Sequence, residues 1–407
     1  MVKPSQLFGL GAAVGLLLTP ALASASESLN PALSRLVLDH RCNTQDVGDG
    51  TYQGYVSGTR THVGEFNDSP GQRAQYLAVT GRDTCAPDNV AFKRLINQWG
   101  FALAPTAMHT ARTTGFGGFH FTFEGVYTTI DNGADYWKLG SQGPRDPSSD
   151  KASVINSSPP GIIQQYSLRI RKSFGFGLEV ATTVGFVPSS TIFTGGADVR
   201  WSLLEGFRTG FLGILPDVAV GSGVRTITGT PEFQLTTVGL DAQISKPLAL
   251  ASQSVLTPWV GYQYLWIFGD SGLIDMTPAT DPVGYCQSQG PNVPGTPGAS
   301  PSAYSGQPVC AGGQPTDFNN NVVFNRARLE RQRMMFGLDY RYEVFSIGAE
   351  FITDVVDPAD AQTGSGTTSV LVRDANGKAH YEDQTDSQIL KGVPRQWSFV
   401  LELGAMF

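Results

Sequence analysis

The chain closes on Trp397-Ser398-Phe399-Val400-Leu401-Glu402-Leu403-Gly404-Ala405-Met406-Phe407. Trp397, Phe399, Leu401, Leu403, Ala405 and Phe407 fall on one parity, while Ser398, Glu402 and Gly404 fall on the other. Side chains of a strand alternate with period two, so this segment is apolar on one face and largely polar or small on the other. About ten residues of such alternation is also the length that crosses a bilayer as a tilted strand. A strand of a soluble sandwich alternates in the same way. The rest of the chain must decide between them.

Working back from the C-terminus, nine more segments alternate similarly, at about 118–128, 164–172, 176–186, 198–202, 217–226, 234–245, 262–268, 331–342 and 345–351. Phe119, Phe121, Phe123 and Tyr127 oppose His120, Thr122 and Glu124 in the first, and Phe176 begins the apolar face of the third. Three connections are long (131–160, 269–322 and 358–394), whereas those at 173–175 and 343 are tight turns. The long ones all fall at one end if the ten strands run up and down. One further hairpin within the long connections would make twelve.

This pattern resembles the Gram-negative outer-membrane β-barrels, an architectural class with an even number of antiparallel strands, long extracellular loops and short periplasmic turns. The resemblance covers about residues 115–407. It implies an outer-membrane location, outer-membrane lipid as surroundings, and Phe407 as part of the signal read by the barrel-assembly machinery. Tyr127, Trp201, Trp266, Tyr340, Tyr342 and Trp397 are then the girdle, because Tyr and Trp favour the headgroup boundary.

The beginning of the chain reads as an export signal over residues 1–25. Lys3 precedes an apolar run from Leu7 to Leu18, Pro20 ends it, and Ala21-Leu22-Ala23 or Ala23-Ser24-Ala25 offers a small-residue cleavage site. No later window is apolar enough for a helical membrane span. With 48 Gly, 25 Pro, 23 Phe and only 15% charged residues, the composition suits a β-rich chain with long loops. A net charge of −7 argues against nucleic acid as a partner.

Residues 26–114 differ in character and are expected to form a small helical module, either a periplasmic cap or a plug inside the barrel. Asn30-Pro31 can start a helix to about residue 41, and a second is expected over 88–99, with Phe92, Leu95, Ile96 and Trp99 at helical spacing and Gly100 as its stop. The four cysteines, Cys42, Cys85, Cys286 and Cys310, are an even count in an exported chain, so two disulfides are the default. Nearness in sequence favours Cys42–Cys85, tying the two helices, and Cys286–Cys310; two other pairings stay formally open. Closing part of the largest loop through the second pair would contribute roughly 3 kcal/mol.

The polar faces carry the candidate lumen residues. Glu124, Glu179, Asp198, Asp241, Asp339, Glu350 and Glu402 are acidic; Arg169, Arg171, Arg200, Arg225, Arg333 and Arg341 are basic. Near-balanced charge in a narrow interior implies mutual pairing, because isolated ions are costly there. Two functions follow: a narrow or gated pore for small solutes, or a non-conducting structural or surface-interaction barrel that displays its loops. Catalysis is not expected. His120 sits mid-strand, and His380, beside Glu382 and Asp383, has no partner constellation. No metal or other cofactor is implied.

Overall fold

The computed structural model describes residues 28–36, 87–107, 110–143, 156–205, 215–275, 286–288, 308–310, 321–373 and 379–407. The expected export signal, Cys42 and Cys85 lie outside those residues; the first expected helix is, over its described part, only a single 3-10 turn at Leu33–Arg35, because Pro31 is held in a β-bridge to Ser141.

Ten strands form the body: β1 (Phe119–Thr129), β2 (Ile162–Ser173), β3 (Leu178–Phe186), β4 (Phe193–Leu204), β5 (Asp217–Thr228), β6 (Phe233–Ser245), β7 (Ser254–Ser271), β8 (Ala327–Tyr342), β9 (Phe345–Asp354) and β10 (Trp397–Met406). Each pairs antiparallel with the next, and β10 returns to pair with β1, in register Phe121↔Ala405, Glu124↔Glu402 and Tyr127↔Phe399. The ring is therefore closed and no barrel edge is left for another chain to pair with. A four-residue strand, Leu248–Ala251, folds back on the start of β7.

Three small ladders in the long connections, 274–275 with 321–322, 286–288 with 308–310, and 367–373 with 379–385, pair only among themselves. The barrel thus has ten strands, not twelve. Cys286 and Cys310 are directly paired residues of one of these ladders. Phe176, expected to begin the third strand, instead sits in the turn before β3 with φ 63 and is fully exposed. Its alternation with Leu178 was real, but the chain reverses there.

Helix α1 (Asn89–Ala102) lies inside the barrel at its long-loop end, packed against the last turns of β7 and the first of β8. Asp88 caps it by accepting the Ala91 N–H at 2.9 Å. Phe92, Leu95, Ile96 and Trp99 are fully buried, against Leu265, Ile267, Phe324 and Leu329 among others. Gly100 does not end the helix. A Cβ there would stand 2.4 Å from Ile267 Cγ2, so the glycine lets the helix touch the wall. The short helix α2 (Asp135–Gly140) covers α1 from the first long connection, with Trp137 5.4 Å from Trp99. Helix α3 (Asp386–Leu390) does so from the last, where Asp386 pairs with Lys93 at 2.5 Å.

Candidate functional site

The inward faces of the strands meet in a band of paired charges. Arg169 of β2 lies 2.8 Å from Glu124 and 3.8 Å from Asp198, which also pairs with Arg225 at 2.8 Å. Arg200 pairs with Asp241 at 3.1 Å and donates to Gln243. Arg171 reaches Glu402 at 3.7 Å and Glu179 at 3.8 Å, and contacts His120. A Cβ at Gly404 would stand 2.4 Å from His120 Nε2, so that glycine makes the room His120 occupies beside the Glu402 carboxylate. Glu124, Arg169, Arg171, Glu179, Arg200, Arg333, Glu350 and Glu402 are buried, and Asp198 is half-buried.

These charges also grip a piece of backbone. From the end of α1 the chain runs down the lumen towards β1 and is bonded to the wall at successive depths. Arg333 donates to the Phe101 and Pro105 carbonyls at 3.3 and 2.7 Å, and Gln263 to Pro105 at 3.3 Å. Arg169 donates to the Thr106 hydroxyl at 2.8 Å, and Glu350 accepts the Ala107 N–H at 3.3 Å. Lower down, the Ala111 N–H donates to Ser245 at 3.0 Å, Arg112 pairs with Asp217 at 3.2 Å, and the Thr113 N–H reaches Glu205 at 2.8 Å. Thr114 finally donates to Ser173 and Glu179 at 3.1 and 3.2 Å, at the short-turn end. Ala107 packs into an apolar patch of Phe101, Val126, Trp259, Met335, Ile352 and Val400.

This occupant was not foreseen residue by residue. Leu103 to Thr114 has neither helical nor strand period, so nothing in it reads as an element. Arg331 was also missed: it is wholly buried, paired with Asp354 at 2.5 Å and bonded to Gln396. Its spacing of two from Arg333 on one strand face could have revealed it. Among the described residues no cluster of His, Cys, Asp and Glu could hold a metal ion.

The outward face is the reverse of the lumen. Leu168, Ile170, Val184, Val199, Leu240, Phe336, Ile347 and Phe399 are all exposed around the ring. Tyr127, Trp266 and Trp397 lie towards its long-loop end, and Trp201 and Tyr340 towards the other. An apolar wall around a closed, charged interior is stable only where lipid surrounds it, because closure satisfies every ladder bond internally. The chain is an outer-membrane β-barrel.

Among solved structures the chain has low-scoring likenesses. The chain is similar to Ail, the attachment invasion locus protein of Yersinia pestis (8% identity, 72% of this chain and 100% of that one, TM-score 0.22). It is also similar to the outer membrane protein OprG of Pseudomonas aeruginosa (12%, 74% and 99%, TM-score 0.25). A third is the translocator domain of the autotransporter NalP from Neisseria meningitidis (9%, 72% and 89%, TM-score 0.24). At such scores no residue role passes from one protein to another. No protein-family model and no curated protein matches the chain.

Proposed function

We propose that this barrel is closed as it stands and acts at the outer face of the membrane through its long loops, as a structural or surface-interaction protein. The observation that carries this reading is the occupied lumen: α1 at the long-loop end and residues 103–107 and 110–114 below it. Four of the α1 side chains, Phe92, Leu95, Ile96 and Trp99, are fully buried. At about 1.5–3 kcal/mol each, before ordering entropy is set against it, this burial favours the helix in place over the helix withdrawn. A passive pore needs the helix out of its path. Planar-bilayer recording of the purified chain is expected to show no steady conductance, and a steady current from the intact protein would overturn the reading.

The second reading is the gated pore for small solutes. One feature favours it. Below α1 the segment is held largely by hydrogen bonds to polar side chains, which water could replace. Withdrawal would then leave a path lined by Glu124, Arg169, Asp198, Arg200, Arg333 and Glu350. The proposed disulfides, Cys42–Cys85 and Cys286–Cys310, would stiffen the same outer region; the opposed backbone positions of the second pair support it. Free-thiol titration with and without reductant tests both.

A further inference from the structure

We infer that the chain enters its own barrel from the outer side and passes through it once, so that Leu36 and Asp88 both stand at the outer mouth and trypsin sites between them are open to the cell exterior. The inference rests on the orientation proposed above, with the long connections outside.

The polypeptide enters the lumen at the long-loop end, as α1, and leaves it at the short-turn end, where Thr114 bonds to Ser173 just before β1 begins. Between them the contacts descend in order: Pro105 meets the middle of β7 and β8, Ala111 the lower ends of β4 and β6, and Arg112 the first residue of β5. Twelve residues, 103–114, can span about 40 Å when extended, more than the roughly 30 Å of a hydrocarbon core. Such a segment can run from one mouth to the other without strain.

The described residues further towards the N-terminus stay at the long-loop end. The Leu29 N–H donates to the Ser189 carbonyl at 3.0 Å, between β3 and β4. Asn30 accepts the Thr191 N–H at 2.7 Å, and Leu33 donates to Glu232, between β5 and β6, at 2.7 Å. Ala32 and Gln142 exchange bonds with Gly140 and Asn30 in the first long connection. The Asp88 N–H then donates to the Leu36 carbonyl at 2.8 Å. The chain is therefore at the rim at Leu36 and again at Asp88, on the same side of the barrel. The barrel has accommodated its own N-terminal segment on the far side of the membrane from the start of β1.

Trypsin applied to intact cells carrying the native chain tests this without any substitution. Cleavage after Arg60 and Arg73 would release residues 61–73, and cleavage after Arg145 and Lys151 in the first long connection would release 146–151. Both peptides are expected in the supernatant of unbroken cells. Release of 146–151 alone, with 61–73 appearing only after the outer membrane is permeabilised, would overturn the inference and leave the orientation intact. Absence of both until permeabilisation would overturn the orientation, and the inference with it. An epitope inserted after Gly50, read by antibody on intact cells, gives a second measurement that does not depend on protease access.

Discussion

Glu124 and Glu402 face each other across the seam between β1 and β10. Like charges directly opposite on neighbouring strands repel, so the seam closes comfortably only because Arg169 and Arg171 stand against them. Arg169→Met is expected to cost about 3–5 kcal/mol in urea unfolding from lipid vesicles, since it strands buried carboxylates. Combined with Glu124→Gln it should cost less than the sum of the two single changes. Additive costs would show that the pair is not the unit holding the seam. A second ionic prediction concerns the rim. Burial raises the Glu232 carboxyl above its ordinary value, against the opposing effects of the Leu33 N–H and Arg35. Burial also pulls the Arg35 guanidinium down to about 10, with the Glu232 charge opposing. A carboxyl raised in the folded state contributes stability below its unfolded pKa and loses it as pH climbs through the folded one. Glu232→Gln keeps an acceptor for Leu33 but removes that loss. The variant should be more stable than the native chain at pH 8, with the gain shrinking towards pH 4; a gain independent of pH would sink the argument.

Helix α1 depends on a contact that its sequence disguises. A glycine at the end of a periodic run reads as a stop, yet Gly100 is inside the helix because Ile267 occupies the place of a side chain. Gly100→Ala gains roughly 1 kcal/mol of helix propensity but sets a methyl against three Ile267 carbons at 2.4–2.8 Å. Two of these, Cγ1 and Cγ2, sit at the branch of the side chain and cannot swing away. The clash should win, with a net loss of about 1–2 kcal/mol. Adding Ile267→Ala should cost less than Ile267→Ala costs the native chain, and equal costs would show that the helix does not press on the wall there. The strands were more legible than the helix, because each one meets two opposite solvents and period two records both. Tyr127, Trp201 and Trp397 reveal the outside while Glu124, Arg169 and Glu402 reveal the inside. Leu103 to Thr114 has no such record. Its described residues are held by polar partners on the wall rather than divided between lipid and lumen, so no period is imposed on them, and only the partners across the lumen identify it. Phe176 misled for the opposite reason, since an aromatic in a turn at the membrane boundary keeps the parity of the strand it precedes.

At the scale of the molecule, two layers compete to decide what can pass. The ten strands all lie within residues 119–406, so their ladder does not need the N-terminal segment to close. The segment occupies the upper part of the space that the ladder leaves and only some of the lower, where a cavity of about 280 Å³ remains at the short-turn end between Thr110, Arg112, Thr114, His120 and Arg171. If it is the stopper, a variant lacking residues 28–114 should conduct in planar bilayers while the intact chain stays silent. The freed wall would present Glu124, Glu179, Asp198, Asp241, Glu350 and Glu402 against Arg169, Arg171, Arg200, Arg225 and Arg333, a near balance that predicts weak ion selectivity. Arg169→Gln in the shortened chain should move the reversal potential under a salt gradient towards cation preference, because a positive charge is removed from a narrow path where opposite charge enriches permeant ions. The same substitution in the intact chain should leave it silent. A shortened chain that remains closed would mean that side chains alone fill the lumen, and the N-terminal segment would then be a lining rather than a stopper. An intact chain that conducts as the shortened one does would mean that ions pass around α1, and the closed-barrel reading would fail at its base.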